Sequence, residues 1–215
     1  MLNVEAAVEA MVAQVAGAES LSIEALDVEK SVLCIIDMNN GFALEGALSS
    51  PRVKDIIEIT SQTAKRCLEK GMSVIAYTDH HPADAAEFSA YPAHCVEGTV
   101  ECELVDSLKA LEGQGLKVQK KNSTNGVLAF NPAVSGLYKD YVVTGCVTDI
   151  CVYQYAVTLR AYLNEHQLPG DVYVVENQVQ TFQIDGFHHG DLMHVTFLKS
   201  LMDNGVKVVK AFITD

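Results

Sequence analysis

The sequence predicts an α/β fold, a three-layer α/β/α sandwich around a six-stranded, mainly parallel, Rossmann-like sheet. Three observations carry this expectation. Short apolar runs rich in β-branched residues alternate with helix-length segments along the chain, several helices close on a glycine, and most of the runs end at or beside a polar or charged residue. Alternation of that kind places helices on both sheet faces and ligands beyond the carboxyl ends of the strands.

Val4, Ala7, Val8, Met11 and Val15 recur at helical spacing within residues 3–16, ahead of a break at Gly17–Ser22. Residues 1–29 are therefore read as an N-terminal helical extension and residues 30–215 as the main domain. The expected strands are Val32–Asp37, Met72–Asp79, Lys117–Lys121, Tyr141–Thr144, Val172–Glu176 and Val206–Ile213. Between them lie the expected helices: Val53–Lys70 closed by Gly71, Cys102–Leu111 closed by Gly113, a short piece at Gly126–Tyr138, Asp149–Glu165, and Gly190–Asn204 closed by Gly205.

A chain of 215 residues, 49% hydrophobic and 20% charged, is long enough to bury a sizeable core in one domain. Its net charge of −13 lacks the basic footprint that nucleic acid or an anionic membrane surface requires, so neither is expected as a partner. A small uncharged or cationic substrate suits it better, and a homo-oligomer is left open. The six cysteines fall within apparent strands and a helix and read as reduced thiols. The N-terminus has no basic leader and no run approaches the ~18 apolar residues of a membrane span, so the expected location is cytoplasmic.

If the sheet is parallel, Asp37, Asp79, Lys121 and the turn leading to Cys151 emerge along one edge. A carboxylate, an ammonium and a thiol meeting there divide the work of acyl transfer into base, electrostatic support and nucleophile. Cys151 opens a helix, where free N–H groups and the helix dipole favour thiolate. Read singly, the same residues fit a buried structural thiol and ordinary strand-end charges.

The connection at residues 78–96 offers Asp79, His80, His81, Asp84, Glu87 and His94, a donor set suited to zinc, iron or manganese. Spacing alone does not choose among the six, and a solvated polar loop is the plain alternative. His188, His189 and His194 flank or begin the last helix and read as packing or surface. Cys146 and Cys151 are spaced wrongly for a C-x-x-C redox pair, and Cys34 reads as core.

The motifs CIIDMNNGF (34–42), YTDHHPADAAEFSAYPAHCVEGT (77–99), the lysine before NSTNG (121–126) and TGCVTDICV (144–152) resemble those of the isochorismatase-superfamily cysteine hydrolases, most of all the nicotinamidases, over about residues 30–213. The resemblance implies a catalytic triad of Asp37, Lys121 and Cys151, with Lys120 the second choice of lysine. It implies a divalent metal, zinc first with iron or manganese as alternatives, on Asp79, His81, Glu87 and His94. It also implies a cis peptide between Val147 and Thr148, an oxyanion hole from the N–H groups of Val147 and Cys151, and a substrate pocket lined by Phe42 and Tyr91.

The implied activity is metal-dependent hydrolysis of a small amide, nicotinamide to nicotinate and ammonia, through a thioester on Cys151. The alternative is another carboxamide or N-carbamoyl hydrolase of the superfamily. Asn39 stands where many relatives have glutamine, and the loop after Lys121 lacks the aromatic residues often found there. A metal-free hydrolase of vinyl ethers fits less well because those enzymes lack the nucleophilic cysteine. A phosphoacceptor domain using Asp37 would lack its usual second acid, and a silent binding relative would leave the intact set of reactive residues unexplained.

Overall fold

The computed structural model describes residues 3–129 and 137–215. Among the described residues eight strands form, β1 (Leu21–Ser22), β2 (Ser31–Ile36), β3 (Ser73–Asp79), β4 (Lys117–Lys121), β5 (Asp140–Cys146), β6 (Val172–Gln180), β7 (Lys207–Val209) and β8 (Phe212–Ile213). Six of them make one sheet in the order β4-β3-β2-β5-β6-β7, and every pairing in it is parallel.

The central strand explains the layering. All six residues of β2 are buried, as expected for a parallel strand covered on both faces. Alternate side chains point to opposite faces, so Leu33 and Ile35 enter one apolar cluster while Val32, Cys34 and Ile36 enter the other. β3 repeats the division, with Val74 and Ala76 on the first side and Ile75 and Tyr77 on the second.

The helices are α1 (Val4–Ala16), α2 (Asn40–Ala43), α3 (Pro51–Lys54), α4 (Ile57–Glu69), α5 (Asp106–Lys109), α6 (Cys151–Glu165) and α7 (Gly190–Asp203). The first sheet face is covered by α4 through Ala64 and Cys67, with Leu108 of α5 beside them. The second is covered by α6, whose Val152, Tyr155, Ala156, Leu159 and Leu163 fall at helical spacing, together with Leu198 and Leu201 of α7. α1 packs on α7 and adds Val15 to this second cluster. Among the described residues, no helix is long and apolar enough to cross a membrane.

Several expected boundaries move. β6 continues to Gln180, past Glu176, through a register irregularity opposite Val143–Gly145. The expected last strand divides: Lys207–Val209 extends the main sheet, whereas Phe212–Ile213 pairs in parallel with Leu21–Ser22. The segment 102–111 is helical only at Asp106–Lys109 and in flanking 3-10 turns, because Leu104 and Val105 face the core in extended backbone. The expected helix at 53–70 is broken at residues 55–56, and that at Gly126–Tyr138 opens with a 3-10 turn at Gly126–Ala129, its residues 130–136 lying outside the described ones.

One close approach shapes the site. Gly145 has φ +105°, and a Cβ there would stand 2.0 Å from the Ile36 carbonyl oxygen of the neighbouring strand. Only glycine lets β5 run this close to β2 while leaving the sheet into the Cys146–Cys151 turn.

Candidate active site

Parallel strands deliver Asp37, Asp79, Lys121 and the turn after β5 to one edge of the sheet. Asp37 follows β2 with φ +51° and is fully buried. Its Oδ1 accepts the backbone N–H of Asp79 at 3.0 Å, and its Oδ2 lies 2.8 Å from Lys121 Nζ. Lys121 also donates to Asp79 Oδ1 at 2.5 Å and to the Ser123 carbonyl at 3.0 Å. Lys120 points elsewhere, its Nζ 3.1 Å from His80 Nε2. One donor atom each from Asp37, Asp79 and Cys151 lie within 4.8 Å of one another.

The electrostatics follow from two carboxylates, one ammonium and one thiol out of water. Burial, then the neighbouring Asp79 charge, raises Asp37 to about 7 against the opposing pull of Lys121. Burial alone would also raise Asp79, but the Lys121 ammonium holds it below the usual carboxylate range. Burial disfavours the charged form of Lys121, yet Asp37, Cys151 and Asp79 outweigh it and keep the ammonium.

Cys151 departs from expectation. Burial pushes its thiol well above the ordinary range, only partly offset by Lys121, so the resting side chain is the thiol and not the thiolate that the helix dipole alone suggests. Asp37 is the carboxylate that hydrogen-bonds with this thiol.

Cys151 is the first residue of α6, so its N–H has no partner within the helix. The cis peptide is Cys146–Val147, one bond earlier than the expected Val147–Thr148. β5 persists through Cys146, whose thiol donates to the Asp37 carbonyl at 3.0 Å, and the Thr148 N–H already donates to the Gln180 carbonyl at 3.1 Å. The reversal therefore begins immediately after Cys146.

Beside this group, Asp79, His81, Glu87 and His94 bring their donor atoms within 4.8 Å of one another. His81 Nδ1 donates to Asn122 Oδ1 at 2.7 Å and His94 Nδ1 to the Pro92 carbonyl at 2.8 Å. Each ring thus turns Nε2 inward with its lone pair. The Nε2 atoms lie 3.5 and 3.6 Å from Asp79 oxygens and 4.0 and 3.9 Å from Glu87 Oε1. His81 Nε2 is buried without a hydrogen-bond partner. Two outward N–H groups on fixed acceptors, two inward lone pairs and two carboxylates are what a divalent cation asks of its surroundings, so the residues fit the metal. Glu87 Oε2 accepts the Thr124 N–H at 3.1 Å, fastening this donor to the loop that follows Lys121. His80 and Asp84 are not part of the group.

Phe42 and Tyr91 both face His94, with ring centroids 5.5 and 6.3 Å away. Burial, then the nearby Cys151, Glu87 and Asp149, raises the Tyr91 hydroxyl. Phe88 escaped the sequence reading, yet its ring lies 5.4 Å from His81 and 5.6 Å from His94. An aromatic residue next to Glu87, in the same loop as the ligands, was the available signal.

His188 and His194, expected as packing or surface, bond to the turn before Cys151: His188 Nε2 lies 2.8 Å from Asp149 Oδ2 and His194 Nδ1 2.9 Å from Thr148 Oγ1.

Known proteins resemble this chain in sequence and in fold. A nicotinamidase of Arabidopsis thaliana, Nicotinamidase 1, is 28% identical over 206 residues, covering 82% of this chain and 84% of its own. The solved N-carbamoylsarcosine amidase of Thermoplasma acidophilum superposes with a TM-score of 0.67 at 22% identity, over 86% of this chain and 97% of that one. The zinc complex of the Pyrococcus horikoshii pyrazinamidase gives 0.63 at 22% identity, over 84% and 98%. Residues 31–210 match the Isochorismatase domain family, and the chain accordingly belongs to it as an isochorismatase-like hydrolase.

Proposed function

We propose that this protein is a metal-dependent cysteine amidohydrolase that converts a small neutral carboxamide, nicotinamide in the first place, to its acid and ammonia. The observation that carries the reading is the joining of the two groups of residues at Asp79. This residue pairs with Lys121 of the acyl-transfer set and also faces the His81 and His94 lone pairs. The likeness to the Arabidopsis nicotinamidase supports it.

The Cys151 proton passes to Asp37 as sulfur attacks the amide carbon, and the C–S bond forms. The N–H groups of Val147 and Cys151 meet the developing oxyanion; one donor of this kind is worth ~3–4 kcal/mol. Collapse breaks the C–N bond, and Asp37 returns its proton to the departing ammonia. Water then attacks the thioester carbon and gives a proton to Asp37, the C–S bond breaks, and Asp37 reprotonates the sulfur as the acid leaves. Lys121 stays charged throughout and balances the two carboxylates.

Asp79, His81, Glu87 and His94 would hold the divalent ion, with zinc favoured by imidazole and carboxylate donors. A bound ion supplies a Lewis-acid anchor for a pyridine nitrogen. Phe42, Phe88 and Tyr91 lie against the histidines of this group.

Charge favours a neutral amide over an N-carbamoyl amino acid. Asp37, Asp79, Glu87 and Asp149 surround the reactive group, and Lys121 is already paired with two of them. Lys121 is therefore not free to meet a substrate carboxylate.

Ammonia release from nicotinamide by zinc-loaded protein, with and without chelator, tests the proposal. Turnover is expected to disappear in Cys151→Ala. Full activity in that variant, or hydrolysis of N-carbamoyl amino acids with none of nicotinamide, would overturn it.

A further inference from the structure

The turn that presents the Val147 and Cys151 N–H groups is held from outside the acyl-transfer set. Asp149 lies within it and is buried. Its Oδ1 accepts from Thr181 Oγ1 at 2.5 Å, and its Oδ2 lies 2.8 Å from His188 Nε2. The other nitrogen of that ring, Nδ1, lies 3.0 Å from the Phe182 carbonyl oxygen. A carbonyl only accepts, so Nδ1 carries hydrogen and one further proton sits between Nε2 and Oδ2. The imidazole also stacks on the Phe182 ring, with centroids 3.9 Å apart and planes 20° from parallel.

The neighbouring residue is tied to the same region. Thr148 donates its N–H to the Gln180 carbonyl and pairs its hydroxyl with His194 Nδ1 on α7. The receiving loop is itself fixed, because Arg52 donates to Gln180 Oε1, to the Thr181 carbonyl and to Asp191. A chain of hydrogen bonds thus runs from α3 through residues 180–188 to the turn two residues before the nucleophile.

We propose that Asp149 and His188 are positioning residues for hydrolysis, fixing through their mutual hydrogen bond the orientation of the Val147 and Cys151 N–H groups toward the amide oxygen. Neither residue is given a proton to move in the reaction. The inference rests on the amidohydrolase reading above and adds to it the residues that set the oxyanion donors. Loss of the bond lowers the rate of the chemical step and leaves ground-state binding at the metal end of the site largely intact.

The test uses zinc-loaded protein and the variants Asp149→Asn, Asp149→Ala and His188→Phe. The asparagine variant retains the whole geometry in neutral form: its side-chain oxygen still accepts from Thr181, and its amide donates to the Nε2 lone pair of a His188 whose Nδ1–H stays on Phe182. It is expected to keep kcat for nicotinamide within fivefold of the unaltered protein. Asp149→Ala and His188→Phe cannot make the bond and are expected to lose at least 20-fold in kcat, with KM within threefold and zinc stoichiometry unchanged. Asp149→Ala deletes the carboxylate without leaving it buried and unpaired, so it carries the test if His188→Phe does not fold.

An Asp149→Asn protein as impaired as Asp149→Ala overturns the proposal, since charge and not position would then be the requirement. A kcat for Asp149→Ala within threefold of the unaltered protein also overturns it. Iodoacetamide labelling of Cys151, followed by peptide mass, separates this outcome from failure of the substrate assignment. Should the unaltered protein not hydrolyse nicotinamide, a labelling rate altered at least threefold in Asp149→Ala and restored in Asp149→Asn supports the positioning role, and equal rates in all three proteins overturn it.

Discussion

The backbone N–H of Asp79 donates to the side chain of Asp37 across 3.0 Å, which joins the carboxylate proposed as general base to one proposed as a metal donor. The two groups of residues are therefore one electrostatic unit. Lys121 is its only described buried ammonium, in contact with both carboxylates.

Replacing Lys121 by methionine leaves Asp37 and Asp79 buried beside each other without their cation. Breaking a buried pair in this way costs ~3–5 kcal/mol, so the metal-free variant is expected to unfold at a distinctly lower temperature. Added zinc should restore part of the loss by placing positive charge against Asp79. Activity is expected to fall ~100-fold or more, the scale of a lost acid–base group, because Asp37 is then protonated at neutral pH. Thermal unfolding with and without zinc, together with ammonia release, reads both effects; a variant with unchanged melting and turnover would remove Lys121 from the site.

Glu87 makes a separate prediction. One of its oxygens faces the two histidines while the other accepts from Thr124. Glu87→Gln keeps an acceptor but loses the charge, and zinc affinity is expected to weaken ~10–100-fold, whereas His94→Ala removes a donor outright and abolishes stoichiometric binding. Competition against a chromogenic chelator measures both. Equal affinity in all three proteins would show that the ion binds elsewhere.

What the sequence made legible is what parallel strands enforce. Asp37, Asp79, Lys121 and the turn to Cys151 each follow their own apolar run, and alternation of strands with helices brings those ends to one edge. The supports were not legible, because they depend on contacts across the fold. Asn122 and the Pro92 carbonyl orient two histidines, Thr124 fastens Glu87, and His188 reaches Asp149 across 39 positions of chain. The thiol of Cys151 was misjudged for a related reason: a helix terminus is visible in a sequence, but complete burial is not.

His194 predicts how the fold responds to acid. Burial, then the charge of Arg52, lowers its imidazole from the ordinary 6.5 to about 4. Between those values the unfolded chain binds a proton that the folded chain does not, so stability is present above pH 6.5 and is lost as pH falls toward 4. The side chain is only partly buried, and a contribution of ~1–2 kcal/mol is expected after solvent screening. His194→Gln should flatten this part of the profile in urea unfolding at about pH 7 and about pH 4.5, while an unchanged slope would assign the acid sensitivity to other groups.

Gly145 separates the two ways a glycine is required. At Gly71 φ is +81° and nothing lies within 4 Å of an added Cβ, so Gly71→Ala meets only the left-handed backbone penalty of ~1–2 kcal/mol. At Gly145 the same methyl would meet the Ile36 carbonyl oxygen at 2.0 Å and its nitrogen at 2.7 Å, in the central strand, where no side-chain rotation relieves the contact. β5 would have to part from β2 at the point where one strand delivers Asp37 and the other the turn to Cys151. Gly145→Ala is therefore expected to cost more than ~4 kcal/mol, beyond the usual range of single substitutions, and to lose activity even where enough folded protein is recovered to assay. Urea unfolding of the two variants side by side makes the comparison. Equal losses at the two positions would mean that β5 and β2 have room to move apart, and that the close approach does not set the site.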